Sequence, residues 1–160
     1  MTADTPDRSM PSTAMGTGTE HLLNRRHRLG ATLTPLDPNT KSPRTGVAIV
    51  ACMDARLAVE TMFGLRPGDA HVIRNAGGCV TDDTLRSLRL SQLRGATTEI
   101  VLVHHEDCAV VTDPDADLHS CLARIRQSKE LPHTDVVRGF VYTRGGALRE
   151  IRPPMRAEYR

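Results

Sequence analysis

The pattern of hydrophobic and polar positions along the chain changes repeatedly between continuous apolar runs, typical of buried strands, and the spacing typical of amphipathic helices. Apolar, β-branched runs, of the kind found in strands covered on both faces, predict strands at residues 46–52, 70–75, 98–105 and 136–143. Apolar residues at helical spacing predict helices at residues 57–64, 81–94 and 115–128. Because strands and helices alternate, we expect an α/β fold with a mostly parallel central β-sheet flanked by helices, in which residues 136–143 form the last strand.

The N-terminal region lacks this periodicity. Residues 1–19 are rich in Thr, Ser, Pro and Gly, a composition that is typical of disorder. The segment EHLLNRRHRLG, residues 20–30, predicts a short basic helix that ends at Gly30. We therefore expect a disordered tail over residues 1–19, followed by a single domain over residues 20–160.

The composition argues against several classes of function. A formal net charge of +2 is too small to indicate a nucleic-acid or membrane partner, and an aromatic content of 2% leaves few rings to stack on bases. No apolar run approaches the ~20 residues of a membrane-spanning helix, and no signal-peptide core is present. We expect a soluble cytoplasmic protein, in which the four cysteines are thiols rather than disulfides.

Two of the predicted strands end in residues that carry chemistry. The first ends in Cys52-x-Asp54-x-Arg56, polar groups that would alternate along an extended continuation of the strand. The third ends in His105-x-x-Cys108. Because ligand sites in such sheets form beyond the carboxyl ends of the strands, we expect these residues to share one site.

Two thiolates and one imidazole, from Cys52, Cys108 and His105, form a ligand set that suits zinc. Three protein ligands leave the fourth tetrahedral position open. Zinc in such a site can hold a water molecule and lower its pKa to about 7, which gives zinc-bound hydroxide at neutral pH.

The neighbouring polar residues have roles that fit this chemistry. Arg56 can bind the Asp54 carboxylate at two points, which keeps it ionised and oriented to accept a hydrogen bond from the hydroxide. The segment RNAGG, residues 74–78, offers small residues and backbone N–H groups that a small substrate could approach closely, so Gly77 and Gly78 are candidate substrate-binding residues.

Each of these signals has a simpler interpretation when it is taken alone. A cysteine after a strand is often only a small buried residue, and an Asp-x-Arg pair is often a surface ion pair. Cys79 could instead complete a closed structural zinc site as its fourth ligand. We expect His104 to point to the opposite face of the strand from His105, as a packing or supporting residue, and Cys121 to belong to the core.

In these motifs the sequence resembles the β-class carbonic anhydrases, especially their short bacterial members. The segments CMDAR, GDAHVIRNAGG, TDD…RSL and EIVLVHHEDC stand in the order and spacing of that family, over residues 20–112. The resemblance implies that Cys52, His105 and Cys108 bind Zn²⁺ and that Asp54 and Arg56 form a catalytic dyad. It also implies a homodimer or higher oligomer, with the N-terminal helix packed on the partner, and reversible hydration of carbon dioxide to bicarbonate.

Two features differ from the family pattern. Ala109 stands where the family usually has glycine, and would be strained if the turn requires a positive φ there. The stretch between Cys108 and the helix near residue 121 is also shorter than in the similar members. A more open pocket keeps two alternatives in view: a hydrolase acting on carbonyl sulfide, carbon disulfide or another small substrate, and a non-catalytic homologue stabilised by zinc.

Overall fold

The computed structural model describes residues 17–30, 36, 39 and 41–152. The chain divides into two compact units, residues 1–36 and 37–160. Most of the predicted disordered tail, residues 1–16, lies outside the described residues. The extent of the predicted single domain over residues 20–160 stays a prediction.

The described part of the first unit is one helix, α1, which runs over Gly18–Leu29. It begins two residues before the predicted start because Thr17 and Glu20 form a capping box. The Thr17 Oγ1 atom accepts a hydrogen bond from the Glu20 backbone N–H at 3.3 Å, and the Glu20 carboxylate accepts one from the Thr17 N–H. Residues 17–19, predicted to belong to the tail, are therefore the cap and first residues of the helix. None of the residues of α1 is buried.

The second unit contains a five-stranded sheet and three helices in the described part of the chain. The strands are β1 Val47–Cys52, β2 Ala70–Asn75, β3 Glu99–His105, β4 Val136–Tyr142 and β5 Leu148–Ile151. The helices are α2 Val59–Phe63, α3 Asp82–Gly95 and α4 Pro114–Gln127, and a single 3-10 turn follows β2 at Ala76–Gly78. The strand order is β2-β1-β3-β4-β5, and the first four strands run parallel. The α/β class and the mostly parallel sheet are thus confirmed.

Strand β5 was not predicted, so the expectation that residues 136–143 form the last strand is wrong. It pairs antiparallel with β4 through a tight connection in which the Thr143 N–H donates to the Ala147 carbonyl at 2.9 Å and Gly146 has a φ of 82°. Only Ile151 of its four residues is buried. A short edge strand with two charged residues carries little of the hydrophobic periodicity on which sequence-based prediction depends.

The two faces of the sheet are both covered, as the continuous apolar runs require. Ala48 and Val50 of β1 cluster with residues of α3 and α4 on one face. Ile49 and Ala51 cluster with Val59 of α2 on the other. Successive side chains of a strand point to opposite faces, so both cores meet at the central strands β1 and β3.

The helices end close to where the sequence places their caps. Gly64 follows α2 in the left-handed conformation, with φ 63°, as a C-cap glycine should. Helix α2 begins two residues later than predicted because the Leu57 N–H closes a turn onto the Asp54 carbonyl at 3.0 Å. Among the helices of the described residues, none is long and apolar enough to cross a membrane.

Candidate metal centre and active site

The carboxyl ends of the neighbouring strands β1 and β3 bring together the three predicted metal ligands. Cys52 is the last residue of β1 and His105 is the last residue of β3. The chain then turns at Asp107, whose φ of 56° lies in the left-handed region, and returns Cys108 to the same place. The ligand atoms of these residues all lie within 4.8 Å of one another, and the two sulfur atoms are 3.9 Å apart.

The hydrogen bonding of His105 prepares one ring nitrogen to bind a metal. Its Nδ1 atom lies 2.8 Å from the Glu106 carbonyl, which can only accept, so Nδ1 carries the proton. Its Nε2 atom is buried and has no hydrogen-bond partner in the described part of the chain. A buried nitrogen with a free lone pair costs free energy unless it finds a partner, and a metal ion supplies one.

The donor set of two thiols and one imidazole fits zinc better than magnesium or calcium, which prefer oxygen ligands. Three ligands leave room for a fourth group in a tetrahedral site. Cys79 is not a member of this cluster, because its Sγ atom contacts Asp117 Oδ2 at 3.8 Å instead. The arrangement therefore offers no support for a closed site with Cys79 as the fourth ligand.

Asp54 and Arg56 pair beside the cluster, although through a turn and not along an extended strand as we expected. The Arg56 backbone N–H donates to Asp54 Oδ1 at 2.9 Å, which makes an Asx-turn. The guanidinium donates to both carboxylate oxygens, from Nε to Oδ1 at 3.0 Å and from Nη2 to Oδ2 at 2.7 Å. A further bond from Nη2 to the Asp107 carbonyl at 3.1 Å ties the pair to the turn that carries Cys108.

This pairing keeps the Asp54 carboxylate ionised. The hydrogen bonds from the Arg56 side chain and backbone hold the pKa of Asp54 well below its ordinary value, and the carboxylate in turn raises the pKa of Arg56. Asp54 Oδ2 lies 3.9 Å from His105 Nε2, too far for a hydrogen bond. The carboxylate therefore stands next to the ligand cluster without occupying it.

Arg74 is a supporting residue that the sequence analysis missed. Its Nε and Nη2 atoms donate to the Cys52 carbonyl at 3.1 and 3.0 Å, and Nη2 also donates to the Asp54 carbonyl at 2.6 Å. One guanidinium thus holds the backbone on both sides of Met53, directly after the first candidate ligand. The sequence feature that could have identified Arg74 is its position one residue before the end of β2, because that strand end lies at the same edge of the sheet as Cys52.

Gly77 and Gly78 are both buried and both have positive φ, 79° and 70°. A Cβ atom on Gly78 would lie 2.9 Å from the Cys52 backbone nitrogen and 3.0 Å from the Val103 carbonyl oxygen. The absence of a side chain therefore lets this turn pack directly against β1 and β3 beside the metal cluster. A role of the two glycines in substrate binding stays a prediction.

The two departures from the family pattern have local consequences. Ala109 does not have a positive φ, because Asp107 makes the left-handed turn, so the substitution of alanine for glycine introduces no strain of that kind. Helix α4 begins at Pro114, soon after Cys108. Next to the dyad, a cavity of about 200 Å³ is lined in part by Arg56, His105 and Tyr142.

His104 and Cys121 lie on the opposite side of the sheet from His105. His104 is 1% exposed, and its Nε2 atom lies 2.7 Å from Asp117 Oδ2. Cys121 belongs to the core as predicted, with its Sγ atom 3.6 Å from the same oxygen. Burial, together with the Asp117 charge, raises the pKa of the Cys121 thiol to about 11. The sequence analysis missed Asp117, whose spacing of four residues before Cys121 on α4 was the signal available.

Comparison with known proteins shows the family to which the chain belongs. A sequence profile of the carbonic anhydrase family matches residues 47–137. The chain belongs to the β-carbonic anhydrase family. It is similar to β-carbonic anhydrase 1 of Mycobacterium tuberculosis, with 55% identity over 80 residues, which cover 50% of this chain and 49% of that protein. It is also similar to a carbon disulfide hydrolase of Saccharolobus solfataricus, with 49% identity over 63 residues, which cover 39% and 31% of the two chains.

The chain spans about half the length, or less, of these curated relatives. A solved structure, that of carbonic anhydrase from Streptococcus mutans, is matched along its whole length. It is 31% identical, covers 88% of this chain and 100% of its own, and superimposes with a TM-score of 0.77. The fold predicted from the motifs is therefore that of the family.

Proposed function

We propose that this protein catalyses the reversible hydration of carbon dioxide to bicarbonate and a proton, with Zn²⁺ held by Cys52, His105 and Cys108. The observation that carries the proposal is the free, buried Nε2 atom of His105, which faces the two thiols while the ionised Asp54 stands 3.9 Å away. The family membership of the chain supports the same reaction.

When bound, zinc supplies a Lewis acid that lowers the pKa of a water molecule to about 7. Asp54 Oδ2 accepts a hydrogen bond from the attacking water, which directs the oxygen lone pair at the carbon of carbon dioxide. Arg56 keeps that carboxylate ionised and prevents it from turning toward the metal ligands. The backbone N–H groups of Gly77 and Gly78 contact the substrate.

Stopped-flow measurement of carbon dioxide hydration by the zinc-loaded protein tests the proposal. We expect a rate well above that of buffer, which falls when a chelator removes the metal and returns when zinc is added back. Cys52→Ser should lose this activity together with one equivalent of zinc. A wild-type rate equal to that of buffer, with zinc bound at the cluster, would overturn the proposal; if the protein then also released no hydrogen sulfide from carbon disulfide or carbonyl sulfide, it would be a non-catalytic homologue stabilised by zinc.

Hydrolysis of carbon disulfide or carbonyl sulfide is the alternative. The observation in its favour is the similarity to the Saccharolobus solfataricus carbon disulfide hydrolase over 39% of this chain. Carbon disulfide and two water molecules would give carbon dioxide and two molecules of hydrogen sulfide. Release of hydrogen sulfide by a protein that does not hydrate carbon dioxide would assign this activity in place of the first.

Self-association as a homodimer or higher oligomer is part of the proposal. It is supported by α1, on which Leu22 and Leu23 are 64% and 52% exposed. Sedimentation velocity at micromolar concentration should give a species of at least twice the 17.5 kDa chain mass. A monomer under these conditions would contradict it. Location in the cytoplasm remains a prediction.

A further inference from the structure

A second group of metal-ligating side chains lies on the other side of β3. The ligand atoms of His104, Asp117 and Cys121 all lie within 4.8 Å of one another. Asp117 Oδ2 is the common point, 2.7 Å from His104 Nε2 and 3.6 Å from Cys121 Sγ. Cys79 Sγ approaches the same oxygen at 3.8 Å. Three potential ligands, His104, Cys121 and Cys79, thus approach one oxygen of a fourth, Asp117.

The fold brings these residues together independently of the first cluster. His104 and His105 are consecutive residues of β3, so their side chains point to opposite faces of the sheet. Asp117 and Cys121 are four residues apart on α4 and share the helix face that packs on β3. The Val80 N–H donates to Cys121 Sγ at 3.4 Å, which holds the backbone next to Cys79 against the same helix.

We propose that this cluster is a second metal site, which binds a soft divalent cation such as Zn²⁺ through His104, Asp117 and Cys121, with Cys79 as the fourth ligand. An imidazole, a carboxylate and two thiolates are each established ligands of zinc, and four of them complete a tetrahedral structural site. A cation held there would connect β3, α4 and the segment after the 3-10 turn.

The burial of the cluster fits such a site. His104 is 1% exposed and Cys121 7%, so a metal bound between them would be shielded from water. The Asp117 side chain is 37% exposed and provides a route by which an ion enters. The His104 Nε2 atom, which faces the cluster, is hydrogen-bonded to Asp117 Oδ2 at 2.7 Å, and a bound cation would take the place of that hydrogen bond. The negative charge that Asp117 places beside two thiols is the charge that a cation would neutralise.

Zinc stoichiometry of the full chain, measured by mass spectrometry of the bound metal after loading and dialysis, tests this site. We expect two equivalents in the wild type. Asp117→Asn and Cys121→Ser should each retain one, and Cys52→Ser should also retain one. The matched control is Asp115→Asn, which removes a carboxylate of the same helix that pairs with Arg149 instead and should keep two. One equivalent in the wild type that Cys52→Ser abolishes would overturn the proposal.

Cobalt substitution gives a second readout that does not depend on activity. In a Cys52→Ser/Cys108→Ser protein, thiolate-to-cobalt charge-transfer absorption can arise only from the second cluster. We expect that absorption to be present, and to be lost on adding Cys121→Ser or, if that protein does not fold, weakened on adding the partly exposed Cys79→Ser. Absence of the absorption in the folded double variant would overturn the proposal. Neither measurement depends on whether the protein hydrates carbon dioxide.

Discussion

Arg56 binds Asp54 at both carboxylate oxygens, with Nη2 at 2.7 Å from Oδ2 and Nε at 3.0 Å from Oδ1. The same guanidinium reaches the Asp107 carbonyl at 3.1 Å, in the turn between His105 and Cys108, two of the proposed metal ligands. The position of the carboxylate is therefore coupled to the position of Cys108. A lysine in place of Arg56 could not reproduce this geometry, because its ammonium group lacks the planar guanidinium that donates two parallel hydrogen bonds.

Asp54→Asn should lower the carbon dioxide hydration rate without loss of zinc. The amide is nearly the same size but carries no charge, and its nitrogen cannot accept the hydrogen bond that Arg56 gives to Oδ2. We expect kcat to fall by about 10²-fold or more, the usual effect of losing a positioned proton acceptor. The measurement is stopped-flow hydration with the metal content determined on the same samples.

Asp69→Asn is the matched control for this change. Asp69 also pairs with one arginine, Arg44, at 2.7 and 3.0 Å, but at the start of β2, at the other end of the sheet from the metal cluster. Its substitution should leave kcat within about twofold of the wild type. Equal rates for wild type and Asp54→Asn would remove Asp54 from the mechanism.

Gly78→Ala should destabilise the protein more than an ordinary glycine substitution. A Cβ atom there would meet backbone atoms of both β1 and β3, the nearest at 2.9 Å, and the residue has a φ of 70°. Backbone atoms cannot rotate away as a flexible side chain can. We expect a loss of roughly 1–3 kcal/mol in the free energy of unfolding, measured by denaturant titration.

The control for this substitution is Gly145→Ala in the turn before β5. An added Cβ at Gly145 would lie 3.8 Å from Thr143 Oγ1, an ordinary contact, and its φ is not positive. The free energy of unfolding of this variant should lie within about 0.5 kcal/mol of that of the wild type. If the two variants were equally stable, close packing of Gly78 against the strands would not be the reason for glycine at that position.

The fold was predictable from the sequence where burial on both faces left a continuous signal. Strands β1 and β3 read as unbroken apolar runs because helices cover both sides, and their ends were placed within one residue. The convergence of Cys52, His105 and Cys108 followed from the same runs, because strand ends in a parallel sheet share an edge. Strand β5 carries no such signal, since it is short and exposed at the sheet edge.

The second cluster escaped prediction for a different reason. Cys121 has the position of a core residue and His104 that of a packing residue, and each description is correct for that residue taken singly. Their meeting point is Asp117, a polar residue in the first turns of α4 whose partners come from β3 and from the segment after β2. Contacts of this kind depend on how α4 docks on the sheet, which local periodicity does not specify.

The acid stability of the protein should depend on the pair between Asp115 and Arg149, which ties the start of α4 to β5. The guanidinium donates to both carboxylate oxygens, at 2.7 and 3.0 Å, and holds the pKa of Asp115 below its ordinary value. A lowered pKa in the folded state gives stability above the unfolded pKa of about 3.9, and this stability is lost as the pH falls through the folded pKa. Arg149→Met should therefore be less stable than the wild type at neutral pH, and the difference should shrink as the pH falls below about 3.9.

The difference in the free energy of unfolding between the wild type and Arg149→Met should stay below about 1 kcal/mol. Both side chains of the pair are nearly half exposed, so water screens their interaction. The difference is measured as the free energy of unfolding of the two proteins at several pH values, so that acid release of metal affects both alike. Arg86→Met serves as the control, since its pair with Asp83 is longer, at 3.5 Å, and more exposed. A wild-type advantage that persisted undiminished at pH 2 would contradict the assignment.

Arg74→Lys should lower the rate of carbon dioxide hydration, although Arg74 contacts only backbone atoms at the candidate site and no side chain of a proposed metal ligand. Its guanidinium donates to the carbonyls of Cys52 and Asp54, at distances of 2.6–3.1 Å, and so fixes the chain on both sides of Met53. A lysine ammonium can reach one carbonyl but not hold both in a fixed geometry. We expect kcat to fall by about tenfold, because sub-ångström displacement of a positioned group is enough for such a loss.

A purely structural role for Arg74 would change stability without changing the metal environment, so the cobalt-substituted protein separates the two cases. The d–d absorption of cobalt at Cys52, His105 and Cys108 should shift in Arg74→Lys, with KM less affected than kcat. The control is Arg138→Lys, which breaks a similar two-point pair with Glu150, at 2.7 and 3.0 Å, between β4 and β5. Its cobalt spectrum should match that of the wild type. If Arg74→Lys gave the same spectrum and the same kcat as the wild type, the arginine would not be positioning the site.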